Sequence, residues 1–301
     1  MTSKKRLEEI RAVIADKGVD FAAKKFGLSR ETVKRYSRTR PNKDARHPNA
    51  KKLIVFGDVH FPHQNPAAIE VLKNTIELFK PDISICLGDL LDCGQFSRHP
   101  PTFGVPETSY SKDLEQANEL IDFVQAHTND KTVLIEGNHE FRINRWAAAH
   151  AEGRGTYNLL APRIQLMKGR EKCTYVPYGN SGSGYPHYRI NSRIAAIHGW
   201  SYAQNATKDH LRKSQGMSII HGHTHRDDAC KFPDIWEPGV IQARSAACLC
   251  MPVPLWGLGT PNEWTNGFVM GYLGKRSDTL FTVTINDDFA ILPDGTEIRA
   301  G

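Results

Sequence analysis

The sequence predicts an α/β layered fold preceded by a small, basic, all-α domain. From residue 51 onward, short apolar runs of strand length alternate with longer segments of helical periodicity, which is typical of α/β proteins. Several of these apolar runs end directly in Asp, Asn or His. Residues 1–52 carry 16 Lys/Arg and 6 Asp/Glu, whereas the remaining residues carry 23 and 27. A basic front end on a mildly acidic body favours a polyanion-binding module joined to a second domain.

The composition is that of an ordinary globular protein, with 40% hydrophobic and 24% charged residues in a chain of 301. No apolar run approaches the roughly 20 residues of a membrane span, and no apolar segment follows the N-terminus as a secretory signal would require. The six cysteines form no paired framework, which favours free thiols. We therefore expect a cytoplasmic protein with no membrane contact, and the sequence indicates no obligatory protein partner.

Three short helices are predicted at the beginning of the chain. Residues 4–17 place apolar side chains at helical spacing, and Gly18 ends this helix. A second helix is predicted over residues 19–26. Ser29 is placed to cap a third helix over residues 30–38.

The segment over residues 19–40 resembles a helix-turn-helix DNA-binding unit. The resemblance rests on Ala23 between the helices, Gly27 in the turn, and Val33 and Tyr36 facing the core. It implies that the third helix lies in the major groove. The side chains that this helix would present to DNA are Arg30, Glu31, Thr32, Lys34 and Arg35. A small basic helical bundle that binds a partner protein is the alternative.

A linker follows these helices. Residues 39–50 hold two prolines, several charges and no apolar periodicity. We therefore divide the chain into a DNA-binding module over residues 1–40, a linker over residues 41–50 and a second domain over residues 51–301.

The second domain alternates strands and helices. Its predicted strands cover residues 53–56, 83–87, 132–135, 194–197, 217–220, 240–249 and 280–285. Its predicted helices cover residues 66–79, 112–127 and 142–149. Because ligands of α/β proteins gather at the carboxyl ends of the strands, we expect the polar residues that follow these strands to converge.

The strand ends together offer three aspartates, one asparagine and several histidines. Mixed oxygen and nitrogen ligands suit divalent manganese, iron or zinc better than calcium. These residues are sufficient for two ions with one aspartate between them. Two metal ions roughly 3.5–4 Å apart are a common device for phosphoryl transfer.

Five motifs in order resemble those of the calcineurin-like metallophosphoesterases. They are Asp58-x-His60, Gly88-Asp89-x-x-Asp92, Gly137-Asn138-His139-Glu140, His198 and Gly222-His223-x-His225. The order and spacing fit over residues 51 to about 285. The resemblance implies a layered β-sandwich core flanked by helices, and an enzyme that hydrolyses phosphoric esters.

The resemblance also implies seven metal ligands. They are Asp58, His60 and His225 for one ion, Asn138, His198 and His223 for the other, and Asp89 as the bridge between them. We expect two divalent ions, with manganese as the first choice and iron, zinc, nickel or magnesium as alternatives.

Two further positions are implied to be catalytic. His139 would lie over the site and protonate the leaving group or hold the phosphate, and Asp92 would orient it. The phosphoprotein phosphatases of this superfamily carry an arginine directly after the second aspartate of the Gly-Asp-x-x-Asp motif, where this chain has Cys93. This difference argues against a protein phosphatase. Three arginines could replace the missing one or serve as surface and structural charges, namely Arg98, Arg142 and Arg145.

Together the two parts predict a two-metal phosphodiesterase that its N-terminal module brings to DNA, most simply a nuclease or nicking endonuclease. One alternative is a phosphomonoesterase, protein phosphatase or cyclic-nucleotide phosphodiesterase with a basic tethering module. Another is a DNA-binding regulator with a vestigial esterase domain. In a loop rich in proline and glycine, Trp256 and Trp264 could stack on bases or pack internally.

Overall fold

The chain forms two compact units, Met1–Asn49 and Ala50–Gly301, in a computed structural model. The residues that it describes are 3–38, 50–98, 109–178, 185–233, 239–253 and 262–301. The predicted linker, except for Ala50, lies outside these ranges. Within them, no helix is long and apolar enough to cross a membrane.

The described part of the first unit is helical. Helix α1 (Ser3–Phe26) is broken at Gly18, whose φ of 79° and ψ of 174° are not helical, and α2 (Arg30–Arg38) follows. The break at Gly18 was predicted from the sequence. The backbone N–H of Thr32 donates to Oγ of Ser29 at 3.1 Å, so Ser29 caps α2 as predicted.

The small core of this unit differs from the prediction at one residue. Ile10, Ala22 and Val33 are buried, whereas Ala23 is only partly buried. The fully buried alanine of this unit is therefore Ala22. The neighbouring Ala23 is turned partly toward solvent. The predicted core side chain of Tyr36 lies outside the described residues.

The second unit contains six helices and thirteen strands among its described residues. The helices are α3 (Pro66–Phe79), α4 (Tyr110–Ala126), α5 (Phe141–Ala149), α6 (Ala151–Leu160), α7 (Pro162–Met167) and α8 (Ala206–Lys213). The strands are β1 (Lys51–Phe56), β2 (Ile83–Cys86), β3 (Lys131–Ile135), β4 (Cys173–Val176), β5 (Tyr188–Arg189), β6 (Ile194–Ile197), β7 (Ser218–His221), β8 (Ala229–Pro233), β9 (Val240–Ser245), β10 (Asn266–Leu273), β11 (Asp278–Asn286), β12 (Phe289–Ile291) and β13 (Glu297–Arg299).

The strands form two sheets. The eight-stranded sheet has the order β13-β12-β11-β10-β1-β2-β3-β4, and the five-stranded sheet has the order β5-β6-β7-β9-β8. Strands β1 to β4 are parallel, and β10 joins β1 from the other side in an antiparallel pair. Strands β6, β7 and β9 are also parallel. The carboxyl ends of β1, β2 and β3 therefore share one edge of the first sheet, and those of β6 and β7 share one edge of the second.

The two sheets pack face to face, with helices on the outer sides. In β1, Ile54 and Phe56 pack with residues of α3 and α4, while Leu53 and Val55 pack with side chains of the second sheet. On the outer face of the second sheet, a third cluster includes Leu211 of α8. Because the central strands are buried on both faces, they appear in the sequence as continuous apolar runs. The predicted α/β layered fold with two sheets and helices is confirmed.

One predicted strand ends early for a reason that concerns the site. Strand β9 stops at Ser245 instead of continuing to Leu249. The backbone N–H groups of Leu249 and Cys250 instead donate to the carbonyl oxygen of Asp58, each at 3.1 Å. The chain after β9 therefore supports the loop that follows β1.

Candidate metal centre

Each of the nine side chains predicted to be metal ligands or catalytic groups follows the end of a buried strand. Asp58 and His60 follow β1, Asp89 and Asp92 follow β2, and Asn138 and His139 follow β3. From the second sheet, His198 follows β6, and His223 and His225 follow β7. The structure brings all nine together where the strand ends of the two sheets meet.

The backbone turns sharply at five of these residues. The φ angles are 51° at Asp58, 54° at His60, 48° at Asp89, 69° at His223 and 58° at His225. Left-handed backbone at a non-glycine residue costs about 1–3 kcal/mol and is typical of functional sites. Here it turns each side chain off the end of its strand and toward the other strand ends.

Two glycines allow the loops to pass close to the carboxylates. A Cβ atom on Gly137 would collide with the carboxylate of Asp89, and one on Gly222 would collide with the carboxylate of Asp58. Both glycines directly precede a predicted ligand in the sequence. Their lack of a side chain is therefore a condition for the ligands to approach one another.

The first group of candidate ligands consists of Asp58, His60 and His225, which are all buried. Nε2 of His225 lies 3.2 Å from Oδ1 of Asp58 and 3.2 Å from Nε2 of His60. Nε2 of His60 lies 4.0 Å from Oδ1 of Asp58. The three ligand atoms therefore face a common point.

The second group consists of Asp89, His198 and His223, with Asn138 beside them. Nε2 of His198 lies 3.3 Å from Oδ2 of Asp89 and 2.8 Å from Oδ1 of Asn138. The same Oδ2 atom of Asp89 lies 3.8 Å from Nε2 of His60 in the first group. The Asp89 carboxylate thus faces both groups.

The hydrogen bonds of these histidines test whether a cation fits. Nδ1 of His198 lies 3.0 Å from the carbonyl oxygen of Leu87, so this nitrogen donates its proton there. In the neutral ring Nε2 then presents a lone pair to two oxygen acceptors, those of Asn138 and Asp89. Lone pairs that face one another without a shared proton are stabilised by a positive charge between them. Oxygen and imidazole donors in this arrangement fit a divalent transition metal.

The charges of the site explain the pKa values of its groups. Burial lowers the pKa of His198, but the negative charge of Asp89 outweighs this effect and raises the pKa to about 9. Burial raises the pKa of Asp89, but the surrounding histidines outweigh it and hold the pKa well below its usual range. The site therefore favours positive charge at its centre.

His139 lies beside His60 and Asp89 and is held by Asp92. Nδ1 of His139 lies 3.0 Å from Oδ1 of Asp92, and Nε2 lies 3.8 Å from Oδ2 of Asp89. Oδ1 of Asp92 also lies 3.3 Å from Nδ1 of His60, so one carboxylate orients both rings. Burial lowers the pKa of His139, but the charges of Asp89 and Asp92 raise it above its usual value.

A comparison with protein families identifies the family to which the second unit is related. The family model described as "Calcineurin-like phosphoesterase" matches residues 51–227, which is more than half of the chain. The chain belongs to the calcineurin-like phosphoesterase family. Membership indicates a metal-dependent phosphoester hydrolase, and the two groups of buried or partly buried His and Asp residues are its candidate metal ligands. The roles of the nine individual residues stay predictions.

Several solved structures of other proteins are also similar to this chain. They include Chaetomium thermophilum Vps29 (11% identity, TM-score 0.42, 82% of this chain and 92% of that chain). They also include Pseudomonas putida nuclease MPE (15%, 0.33, 76% and 87%) and purple acid phosphatase PPD1 of yellow lupin, Lupinus luteus (14%, 0.40, 83% and 53%). At these identities and TM-scores, none assigns an activity to this phosphoesterase. No curated protein sequence matches it.

Arg142 is the arginine that the fold brings to the centre of this phosphoesterase. Its Nη2 atom lies 3.0 Å from Nε2 of His139, and its Nη1 donates to the carbonyl oxygen of Asp92 at 2.9 Å. The other two candidates, Arg98 and Arg145, are exposed. Cys93 is buried in the core beneath the helices, so its position could not present an arginine without disrupting that core.

Glu140 has a role that the sequence did not reveal. Its buried carboxylate accepts hydrogen bonds from the backbone N–H groups of Leu91, Gly137 and Asp89, at 2.8, 2.9 and 3.0 Å. It therefore ties the loop after β2 to the loop after β3. The sequence signal was a carboxylate directly after the Asn-His pair, but only the fold shows which groups it contacts.

The predicted DNA-binding residues lie in the first unit. Nε of Arg30 lies 2.9 Å from Oδ1 of Asp20, and Oγ1 of Thr32 lies 2.8 Å from Oγ of Ser29. Lys34 is exposed, and the side chain of Arg35 lies outside the described residues. All four residues belong to the capped helix α2, on which the side chains of Arg30 and Lys34 are exposed.

Proposed function

We propose that this calcineurin-like phosphoesterase is a two-metal phosphodiesterase that cleaves DNA, as a nuclease or nicking endonuclease. The observation that carries the proposal is the position of Asp89, whose buried carboxylate faces both groups of candidate ligands. A single carboxylate between two sets of oxygen and nitrogen donors is the arrangement expected for a pair of ions.

In this proposal each group holds one divalent ion, with manganese as the expected metal. The ligands are Asp58, His60 and His225 for the first ion, Asn138, His198 and His223 for the second, and Asp89 for both. When bound, such ions lower the pKa of a water nucleophile and neutralise the charge that develops on the phosphate.

The remaining side chains act on the phosphate and the leaving group. His139 delivers a proton from Nε2 to the departing oxygen, while Asp92 keeps the ring in place through Nδ1. Arg142 contributes a guanidinium that can move from Nε2 of His139 to a phosphate oxygen and hold it. Breaking that contact also frees Nε2 for the proton that it must carry.

The basic N-terminal part of the chain supports DNA as the substrate. Residues 1–52 carry a charge balance of +10, from 16 Lys/Arg and 6 Asp/Glu. We propose that helix α2 of a helix-turn-helix enters the major groove with Arg30, Thr32, Lys34 and Arg35. Contacts with phosphates supply most sequence-independent affinity for DNA, and basic residues make them.

One set of assays tests the proposal. The full protein is incubated with manganese and supercoiled plasmid, linear DNA or a small aryl phosphodiester, with Asp89→Asn protein as the control. Metal-dependent nicking or cutting by the wild type and not by the control is the expected result. Hydrolysis of the aryl ester without any action on DNA would contradict the nuclease proposal and favour a phosphatase or small-diester phosphodiesterase.

A further inference from the structure

Besides Tyr178, whose ring centroid lies 6.4 Å from that of His198, two aromatic side chains lie beside the metal-ligand groups, one at each group. The ring centroid of Trp264 lies 4.2 Å from that of His225, which belongs to the Asp58 group. The ring centroid of Tyr202 lies 5.9 Å from that of His223, which belongs to the Asp89 group. Each half of the candidate centre therefore has an aromatic neighbour.

The side chain of Tyr202 is not part of the hydrophobic core. It is 80% exposed, which is the largest value among the exposed large hydrophobic residues of the described ranges. Single exposed hydrophobic residues are common on proteins and need no function. Tyr202 differs from them because it adjoins a candidate metal ligand and because a partly buried cation holds the segment that carries it.

That cation is Arg226, whose side chain is only 16% exposed. Its Nη2 donates to the carbonyl oxygen of Ala203 at 2.6 Å, and its Nη1 donates to Oε2 of Glu263 at 2.9 Å. Ala203 follows Tyr202 directly, and Glu263 directly precedes Trp264. One guanidinium thus joins the two segments that carry the aromatic rings.

Arg226 also ties these segments to the centre, because it directly follows His225 in the chain. In addition, the backbone N–H of Thr265 donates to the carbonyl oxygen of His225 at 2.8 Å. The two segments that carry the rings are therefore held in place relative to the metal ligands. Anchoring of this kind holds the two aromatic segments close to the metal ligands, as a substrate subsite requires.

We propose that Tyr202 and Trp264 form a stacking subsite for unpaired nucleobases on the two sides of the scissile phosphate. This inference rests on the proposed DNA phosphodiesterase function and narrows its substrate to single-stranded or locally unpaired DNA. Aromatic side chains stack on any base, and each such contact contributes roughly tenfold or more to affinity. In a duplex the faces of the bases are covered by their neighbours, so the subsite selects bases that are unstacked.

The test uses a dinucleotide, which has a single phosphodiester bond with one base on each side. Its matched probe is the same diester between two abasic deoxyribose units. We expect the wild type to show a KM for the dinucleotide at least about tenfold below that for the abasic diester. Tyr202→Ala and Trp264→Ala should each reduce this KM ratio by about 5–10-fold, whereas Tyr202→Phe should retain it because the ring remains.

Tyr272→Ala is the matched control. This tyrosine is also exposed, but it pairs with Lys52 at the opposite end of β1 and packs on Phe79. Its removal should leave the KM ratio at the wild-type value. A general loss of folding would change the turnover of both substrates, whereas loss of stacking changes only their ratio.

The outcomes separate the two proposals. If the wild type cleaves both diesters with equal KM, or if Tyr202→Ala keeps the wild-type ratio, the stacking subsite is wrong while the DNA phosphodiesterase stands. If the wild type hydrolyses a small aryl phosphodiester but neither the dinucleotide nor longer single-stranded DNA, the proposed function fails and the subsite fails with it.

Discussion

Asp92 fixes the orientation of His139, since Oδ1 of the carboxylate lies 3.0 Å from Nδ1 of the ring. A carboxylate at Nδ1 sets the tautomer and aims the other nitrogen, Nε2, at the candidate centre. Nε2 is therefore the atom through which His139 acts on a substrate.

Replacing His139 by alanine should slow the hydrolysis of esters with poor leaving groups by about 10²–10⁴-fold. A nitrophenyl ester should lose much less, because its leaving group departs without a proton. Asp92→Asn should give the same pattern to a smaller degree. The measurement is kcat for DNA and for the aryl ester with each variant. Equal losses on both substrates would show that His139 holds the phosphate or shapes the pocket instead.

Replacing Arg142 by alanine should reduce kcat/KM by about 10²-fold, because a charged donor to the phosphate is lost. Arg142→Lys should recover only part of this loss, since lysine keeps the charge but not the planar fork of donors. Arg145→Ala, three residues further along α5 and exposed, is the control and should change kcat/KM far less. Full activity of Arg142→Ala would remove the guanidinium from the proposed mechanism.

The Asp89→Asn variant should lose the metal-dependent hydrolysis of every phosphoester. The amide carries no charge, so it is a poor bridge between two cations. Calorimetric titration with manganese should show two bound ions for the wild type and at most one for the variant. Retention of both ions and of activity, or full wild-type activity in excess chelator, would contradict the two-metal proposal.

A truncated protein that begins at Lys51 should keep the hydrolysis of a small diester. All nine candidate site residues lie after this point. It should bind DNA poorly, because it lacks most of the +10 charge balance and the proposed recognition helix. Lys34→Ala with Arg35→Ala in the full chain should show part of this loss. Gel shifts at two salt concentrations measure it, with small-diester turnover as the control.

If the truncated protein binds and cuts DNA as well as the full chain, the first unit is not the DNA anchor. The salt dependence adds an independent criterion. Each phosphate contact that is lost should make the dependence of affinity on salt less steep.

His210 should make the stability of the second unit depend on pH. Burial lowers the pKa of this imidazole to about 3, and the nearby His221 acts in the same direction. The unfolded chain takes up the proton at a pKa of about 6.5, so stability is lost as the pH falls below this value. The cost should reach roughly 1–2 kcal/mol at pH 5.

The measurement is urea unfolding at pH 7 and pH 5 in the presence of chelator. His210→Gln removes this titration, while its amide can still accept the hydrogen bond that the backbone N–H of Trp200 donates at 3.2 Å. The loss of stability between the two pH values should be smaller for the variant than for the wild type. The same loss in both proteins would exclude His210 as the titrating group.

The convergence of the nine side chains could be predicted because Asp, Asn and His directly follow short apolar runs of strand length. Helix α3 was predicted at its observed bounds, since Pro66 stands at its first position and the side chain of Asn65 caps it. In the two sheets, the strands that carry the site were predicted within two residues. These signals are local, and tertiary packing did not change them.

Strand β10 was missed although it lies next to β1 in the middle of the sheet. Its apolar run is interrupted by two glycines, which are unfavourable inside a strand. A Cβ atom on Gly267 would meet the carbonyl oxygen of Val283 at 2.7 Å, and one on Gly271 would meet Leu280 at 2.8 Å. Both glycines therefore serve a close approach to β11, which the sequence of β10 alone does not show.

The contacts of Arg142 and Glu140 could not be predicted for a similar reason. Both residues were visible beside the Asn138-His139 pair, but their partners come from the loop after β2. The spacing of a motif indicates which residue types gather. It does not indicate which of several nearby charges turns inward, because that depends on the course of the backbone.

The backbone limits which residue types can occupy five positions of this centre. It is left-handed at Asp58, His60, Asp89, His223 and His225. Asp, Asn and His tolerate this conformation better than most other residues with a side chain. Glutamate has the same carboxylate as aspartate, but it meets a backbone that disfavours it. Substitutions meant to change the metal preference of this protein should therefore exchange Asp, Asn and His among themselves. A residue that binds the desired metal well but disfavours left-handed backbone would destabilise the loops that hold the centre.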